Sequence, residues 1–265
     1  EAVPALIDML NKDHQAVRMA AIYALGAIGS DAVEPMIQIL KGSGSRENRE
    51  LGPQEFTGIT RPFWNESAIA MDDAAHGLGA VGIAAVRGLI DLLSHPKEWV
   101  RANAAFALGE MDSKSADAIP DLTRCLEDVS DCVVRTATDS LGYIREDIPK
   151  FLPSLGRLLK KGRPKWNKIE ESLMSSAPEV GPPTRGWTSS DQLRCNAAST
   201  LARLGKAAAD VEEDLIEALA DPCGQVATFA LDALRQVGSP TATEAVVEFL
   251  LSRRWDESIV KGRGF

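Results

Sequence analysis

Three histidines, four cysteines and one pair of adjacent aspartates carry the chemistry for metal binding or proton transfer in this 265-residue chain. Their spacing argues against both. His14, His76 and His95 never fall three or four residues apart, the spacing that places two imidazoles on one helix face. Asp72 and Asp73 are consecutive, and consecutive helix residues diverge by about 100°, so the two carboxylates do not converge on one ligand. Cys125, Cys132, Cys195 and Cys223 form no Cys-x-x-Cys pair, and each lies in or beside a helical pattern. They read as buried or half-buried free thiols of a reducing compartment. Gly77, Gly79 and Gly82 have the spacing of a dinucleotide-binding loop, but they close a helical pattern and no strand precedes them. No catalytic residue, metal ligand or cofactor site is therefore expected, and an enzymatic role is disfavoured.

The chemistry that remains is that of an interface, and it depends on a repeat. From Val17 the chain reads Val-Arg-Met-Ala-Ala-Ile-Tyr-Ala-Leu-Gly-Ala-Ile-Gly, and from Val100 it reads Val-Arg-Ala-Asn-Ala-Ala-Phe-Ala-Leu-Gly-Glu-Met-Asp. Weaker copies start near Met71, Val133, Leu193 and Val226. An apolar segment, often opened by proline, precedes each copy. Val17, Ala20, Ala21, Ala24, Leu25 and Ile28 share one helical face and are expected in the core. Gly29, Gly82, Gly205 and Gly238 stand where helices close. Six helix pairs and one closing helix follow, each pair burying its apolar face only against its neighbours. Residues 1–265 then form a single all-α solenoid domain, a curved superhelix.

In this frame Tyr23, His76, Phe106, Asp139, Ser199 and Asp232 occupy one outward position on the concave wall. Arg18, Arg101 and Arg194 occupy another, with Arg135 offset by one residue. Aromatic and arginine side chains supply most interface hot-spot energy, so the wall suits a protein or peptide segment. A second reading pairs the arginines with acidic residues of adjacent turns, where they support stacking. Asp73, Asn103 and Asn196, at the nearly buried position of Ala20, are expected to form a polar ladder to a neighbouring inter-helix turn.

These repeats resemble the HEAT family, and within it the short bilin-lyase-like repeat with its Val-Arg-x-x-Ala-Ala-x-Ala-Leu-Gly-x-Ile-Gly second helix. The resemblance spans nearly the whole chain and implies the solenoid fold. It also implies one particular task, chaperoning a tetrapyrrole onto an apoprotein. Deoxyhypusine hydroxylase, a HEAT-like enzyme, builds its iron site from His-Glu pairs, and this sequence has none.

Two insertions, 42–63 and 162–186, interrupt the period between the first and second helices of a pair. Trp64 and Trp187 follow them at equivalent positions, each shortly after a Thr-Arg. The two loops are expected on one rim, roughly 30 Å apart from the spacing of three packed helices. The second is bordered by Arg157, Lys160, Lys161, Arg163, Lys165 and Lys168 around Trp166, either a solvated loop favouring a helix end or a local anion contact. The net charge of −9 argues against a general nucleic-acid binder. No apolar run nears the roughly 18 residues of a membrane span. With no leader segment, a cytoplasmic protein is expected, and the start at Glu1 inside a repeat suggests a piece of a longer one.

The function expected is a protein-binding scaffold using the concave wall (Tyr23, His76, Arg101, Phe106, Arg135, Asp139, Arg194) and the loops around Trp64, Trp166 and Trp187. An accessory domain of a larger enzyme and a bilin-lyase-like chaperone are the alternatives, and small-molecule binding stays open.

Overall fold

The structure, a computed structural model, describes residues 2–10, 14–42, 66–162 and 189–252. Among these residues every regular element is helical. The first unit, Glu1–Phe151, contains α1 (Ala2–Met9), α2 (Gln15–Ile28), α3 (Ser30–Leu40), α4 (Glu66–Val81), α5 (Ile83–Leu92), α6 (Glu98–Gly109), α7 (Ile119–Cys125) and α8 (Asp131–Ile144). The second unit, Leu152–Phe265, contains α9 (Leu152–Lys160), α10 (Ser189–Leu204), α11 (Glu212–Ala218), α12 (Gly224–Val237) and α13 (Pro240–Ser252).

In the first unit α1, α3 and α5 pack in sequence as one layer, and α2, α4, α6 and α8 pack side by side as another. In the second unit α10 packs on α12, α9 on α11, and α13 on both α11 and α12. This is the α-solenoid the repeats predict.

Small residues let the second-layer helices touch. Gly26, Gly79 and Gly109 hold one repeat position. A Cβ added at Gly26 would lie 2.8 Å from the Ala80 Cβ. One at Gly109 would lie 2.6–3.0 Å from the Ser140 side chain and Cα. Ser140 uses that approach to donate to the Ala105 carbonyl across the helix pair at 2.8 Å. Gln236 does the same between α12 and α10, donating to the Ala202 carbonyl at 2.8 Å. The Gly77–Gly82 series is thus structural: Gly77 faces the Met36 sulfur, Gly79 faces Glu110, and Gly82 turns the chain.

Gly29 (φ 79°, ψ −130°) and Gly82 (φ 76°, ψ −138°) are one-residue links, α2 to α3 and α4 to α5. That backbone region is open essentially to glycine alone. After α6 the equivalent link lengthens into a 3₁₀ turn, Asp112–Ala118, pinned by buried Ser115 donating to the Leu108 carbonyl at 2.6 Å. Because the Gly29 link is so short, α3 begins at Ser30 and carries Pro35 in its interior rather than at its start.

The expected core stripe differs at the first repeat. In α6, Val100, Ala104, Ala107 and Leu108 are fully buried. In α2, Ala21 and Leu25 are buried with Ile22, but Val17, Ala20 and Ile28 are exposed. Among the described residues α6 packs between α4 and α8, whereas α2 packs on a single second-layer helix, α4. The same residue types therefore meet solvent at the end of the row and protein in its middle.

Candidate functional site

The second-layer helices of the first unit present a row of side chains at one repeat position: Tyr23 on α2, His76 on α4, Phe106 on α6 and Asp139 on α8. Tyr23 is 68% exposed. His76, Phe106 and Asp139 are half-buried. The rings of His76 and Phe106 meet edge to face, centroids 4.8 Å apart at 89°, the arrangement favoured by their quadrupoles. One turn further along each helix lie Ala27, Ala80, Glu110 and Tyr143. Ala27 and Ala80 are exposed. Glu110 Oε2 lies 3.1 Å from His76 Nδ1, and Tyr143 is 51% exposed. Glu110 and Tyr143 escaped the sequence reading, although each stands four residues after a row member and so on the same helix face.

The arginine column belongs elsewhere. Arg194, on α10, is 0% exposed. Its Nε donates to Asp221 Oδ2 at 2.8 Å, and its Nη2 to Asp221 Oδ1 at 3.1 Å and to Asp191 Oδ1 at 2.6 Å. Its Nη1 donates to the Lys161 carbonyl at 3.2 Å. Arg101, on α6, grips Asp128 through Nε and Nη2 at 2.7 Å each. Its Nη1 donates to the His95 and Pro96 carbonyls. Each aspartate sits in the turn before the next second-layer helix and also accepts an amide two residues on: Ser130 N to Asp128 and Cys223 N to Asp221, both at 2.8 Å. Arg18 instead reaches into the next helix, with Nε 2.6 Å from Asp73 Oδ2. Arg101 and Arg194 are therefore stacking clamps, not lining of an exposed wall, because their donors are spent on neighbouring turns.

Burial alone would raise the Asp128 pKa, but the Arg101 guanidinium and the Ser130 amide hold it below its ordinary value. Burial likewise works against a charged Arg194, yet Asp221 and Asp191 prevail and raise its pKa. Each clamp also has a cysteine beside it. Burial, then the nearby Asp128 carboxylate, pushes the Cys125 thiol up to about 11. Burial, then Cys223 and Asp221, pushes Cys195 up to about 12.

Of the polar ladder expected from Asp73, Asn103 and Asn196, the first two residues take a different form. Asp73 pairs with Arg18, and Asn103 donates to the Trp99 carbonyl one turn back in its own helix at 2.9 Å. In that helix the amide needs no neighbouring repeat for a partner. Arg135 is half-buried beside Cys132. Of the basic cluster, Lys160 bonds Asp214 at 2.7 Å and Glu217 at 3.4 Å, and Arg157 donates to Ser154. Trp64, Trp166 and Trp187, with Arg163, Lys165 and Lys168, lie outside the described residues, as do nearly all of the two inserted segments. Among the described residues no three His, Cys, Asp or Glu side chains group as metal ligands, and no helix is long and apolar enough to cross a membrane.

Stacked helical hairpins joined by interlocking inter-repeat contacts define a repeat scaffold of the α-solenoid class. The model of HEAT repeats matches residues 1–51 and 74–173, more than half of the chain, and the chain belongs to the HEAT repeat family. None of the curated proteins matches it by sequence. Solved structures similar to it include the following three. An engineered protein is 18% identical, covering 90% of this chain and 97% of its own, with a TM-score of 0.46. The CpcE–CpcF complex of phycocyanin lyase from Nostoc sp. PCC7120 is 21% identical, covering 97% and 91%, with a TM-score of 0.41. A chain from the structure of Kap95p with RanGDP is 14% identical, with a TM-score of 0.50; 94% of this chain covers 32% of that one. This last likeness is one of fold alone.

Proposed function

We propose that the chain is a non-enzymatic protein-binding scaffold that holds a partner segment on the second-layer face of its first unit. Tyr23 carries the reading. It is a large ring left 68% exposed at the head of a row whose next members, His76 and Phe106, are rings in contact. Such a ring adds little to the fold, whereas tyrosine and other aromatics dominate binding hot spots. The inserted segments join α3 to α4 and α9 to α10, the same step of a helix pair. Trp64 and Trp187, outside the described residues, are further candidates for partner contact.

The test is quantitative capture of partner proteins with the unaltered chain and with Tyr23→Ala, Phe106→Ala, Trp64→Ala and Trp187→Ala, each checked for unchanged circular dichroism. Recovery of the bound partner drops at least tenfold with Tyr23→Ala. The same partners recovered in the same amounts by all four variants would dispose of the reading.

A further inference from the structure

We infer that the occupant of this face is an extended peptide segment bearing lysine or arginine, with a cationic head seated between the Glu110 carboxylate and the rings of Phe106 and Tyr143. The inference rests on the scaffold reading above and adds the chemistry of the partner.

Charge points to a cation. The chain carries a net −9, and two of the three first-unit arginines the repeat would place toward this face are neutralised within the fold. Arg18 is bound to Asp73 and Arg101 to Asp128. Arg135, one turn before Asp139 on α8, is half-buried. Glu110, by contrast, keeps 42% of its side chain in solvent. Phe106 precedes it by one turn on α6, and Tyr143 stands at the same repeat position on the adjoining α8. A carboxylate with an aromatic residue one turn away on its own helix and another at the same position of the adjoining helix is the chemistry that receives an ammonium or guanidinium, by charge and by cation–π attraction. His76 lies 3.1 Å from Glu110 and against the Phe106 ring.

Geometry points to an extended chain. Packed helices lie about 8–10 Å apart, and the glycines at positions 26, 79 and 109 place these at close approach. A polyproline II strand advances about 9.3 Å per three-residue turn. It can therefore present every third side chain to successive helices. Across α2 and α4 the floor is Ala27 and Ala80, both exposed, so a backbone can lie close there, with Tyr23 and His76 beside it.

The experiment uses fluorescent fifteen-residue peptides of Pro-Ala steps with Lys, Glu or Gln at every third position, titrated against the full chain by anisotropy. The lysine peptide binds, and binding weakens as salt rises from about 50 to about 200 mM, as screening requires. Glu110→Gln raises its Kd at least fivefold. Glu213→Gln, which removes the same charge from an exposed position on helix α11 of the second unit, leaves the Kd unchanged. Equal binding of the glutamate or glutamine peptide, no binding of the lysine peptide, or an equal loss with Glu213→Gln overturns the inference. A glutamine peptide bound as well as the lysine one, and released by Tyr23→Ala, would remove the charge argument while leaving the scaffold reading intact. Partner capture that ignores Tyr23→Ala would remove the scaffold reading itself.

Discussion

The two units contain the same clamp in two settings. In the first, Arg101 and Asp128 retain 11% and 12% of their side-chain surface. In the second, Arg194 and Asp221 retain none. The ligation is otherwise parallel: a two-pronged grip on the aspartate, an amide two residues on, and a carbonyl from the preceding turn. The second clamp adds Asp191, one turn before the arginine on its own helix. A guanidinium wholly removed from water needs that further acceptor, since each unmet donor would cost far more than at a wet site. A repeat thus keeps its arginine in place as burial deepens by recruiting carboxylate rather than by releasing charge.

Breaking the buried clamp has the largest effect. Arg194→Ala leaves Asp221 and Asp191 facing each other without a cation and lowers stability by about 3–5 kcal/mol. Arg101→Ala, where water can reach Asp128, costs about 1.5–3 kcal/mol. Urea unfolding of the two variants measures the difference, and equal losses would mean burial does not set the strength. Gly109→Ala offers a calibration independent of charge. Its new Cβ would meet the Cα and side chain of Ser140, an overpacking cost of about 1–3 kcal/mol.

Acid sharpens the comparison. The folded pKa of Asp128 lies below its ordinary 3.8. Its contribution is therefore complete above the unfolded value and is lost as pH falls through the lowered folded value. Unfolding midpoints between pH 5 and pH 2 should fall less steeply for Asp128→Asn than for the unaltered chain. Parallel curves would show that this carboxylate contributes nothing to acid sensitivity. The cysteines report the same clamps one at a time, because Cys125 lies beside the first and Cys195 beside the second. With thiols held near 11 and 12, both resist alkylation at pH 8 in the native state. Each arginine lowers the pKa of its neighbouring thiol. Faster labelling of Cys125 alone in Arg101→Ala, or of Cys195 alone in Arg194→Ala, read by peptide mass, therefore reports local opening of that clamp and not easier ionisation. Joint acceleration would mean the chain opens as one cooperative body.

The periodicity made the helices, their pairing and the glycine links legible, because 3.6-residue spacing and positive φ leave direct marks in residue type. It left the arginines between two readings, exposed lining and pairing with acidic residues of adjacent turns, and the structure has the second for Arg101 and Arg194. Helical spacing gives a side chain's direction, but not what the next repeat folds over it. A signal existed: Asp128 and Asp221 each follow their arginine by 27 residues. Exposure of Val17 and Ile28 was illegible for another reason. Their residue types match buried counterparts, and only position at the end of the row separates them. Glu110 and Tyr143 were readable as i+4 neighbours, but the aromatic column drew attention to a single position per helix.

The smallest effect on stability belongs to the residue with the largest proposed role. Tyr23→Ala removes a ring that is 68% exposed, so its unfolding free energy should change by no more than about 0.5 kcal/mol. That value lies well below the loss from either clamp, and it separates two kinds of repeat position. The arginine position holds repeats together, and truncating it is costly. The Tyr23 position faces outward, and the fold can spare it. If Tyr23→Ala instead costs as much as Arg101→Ala, the ring is packing against something that binds it in the folded chain. The row would then be part of the stacking machinery, and the surface proposed for a partner would already be in use.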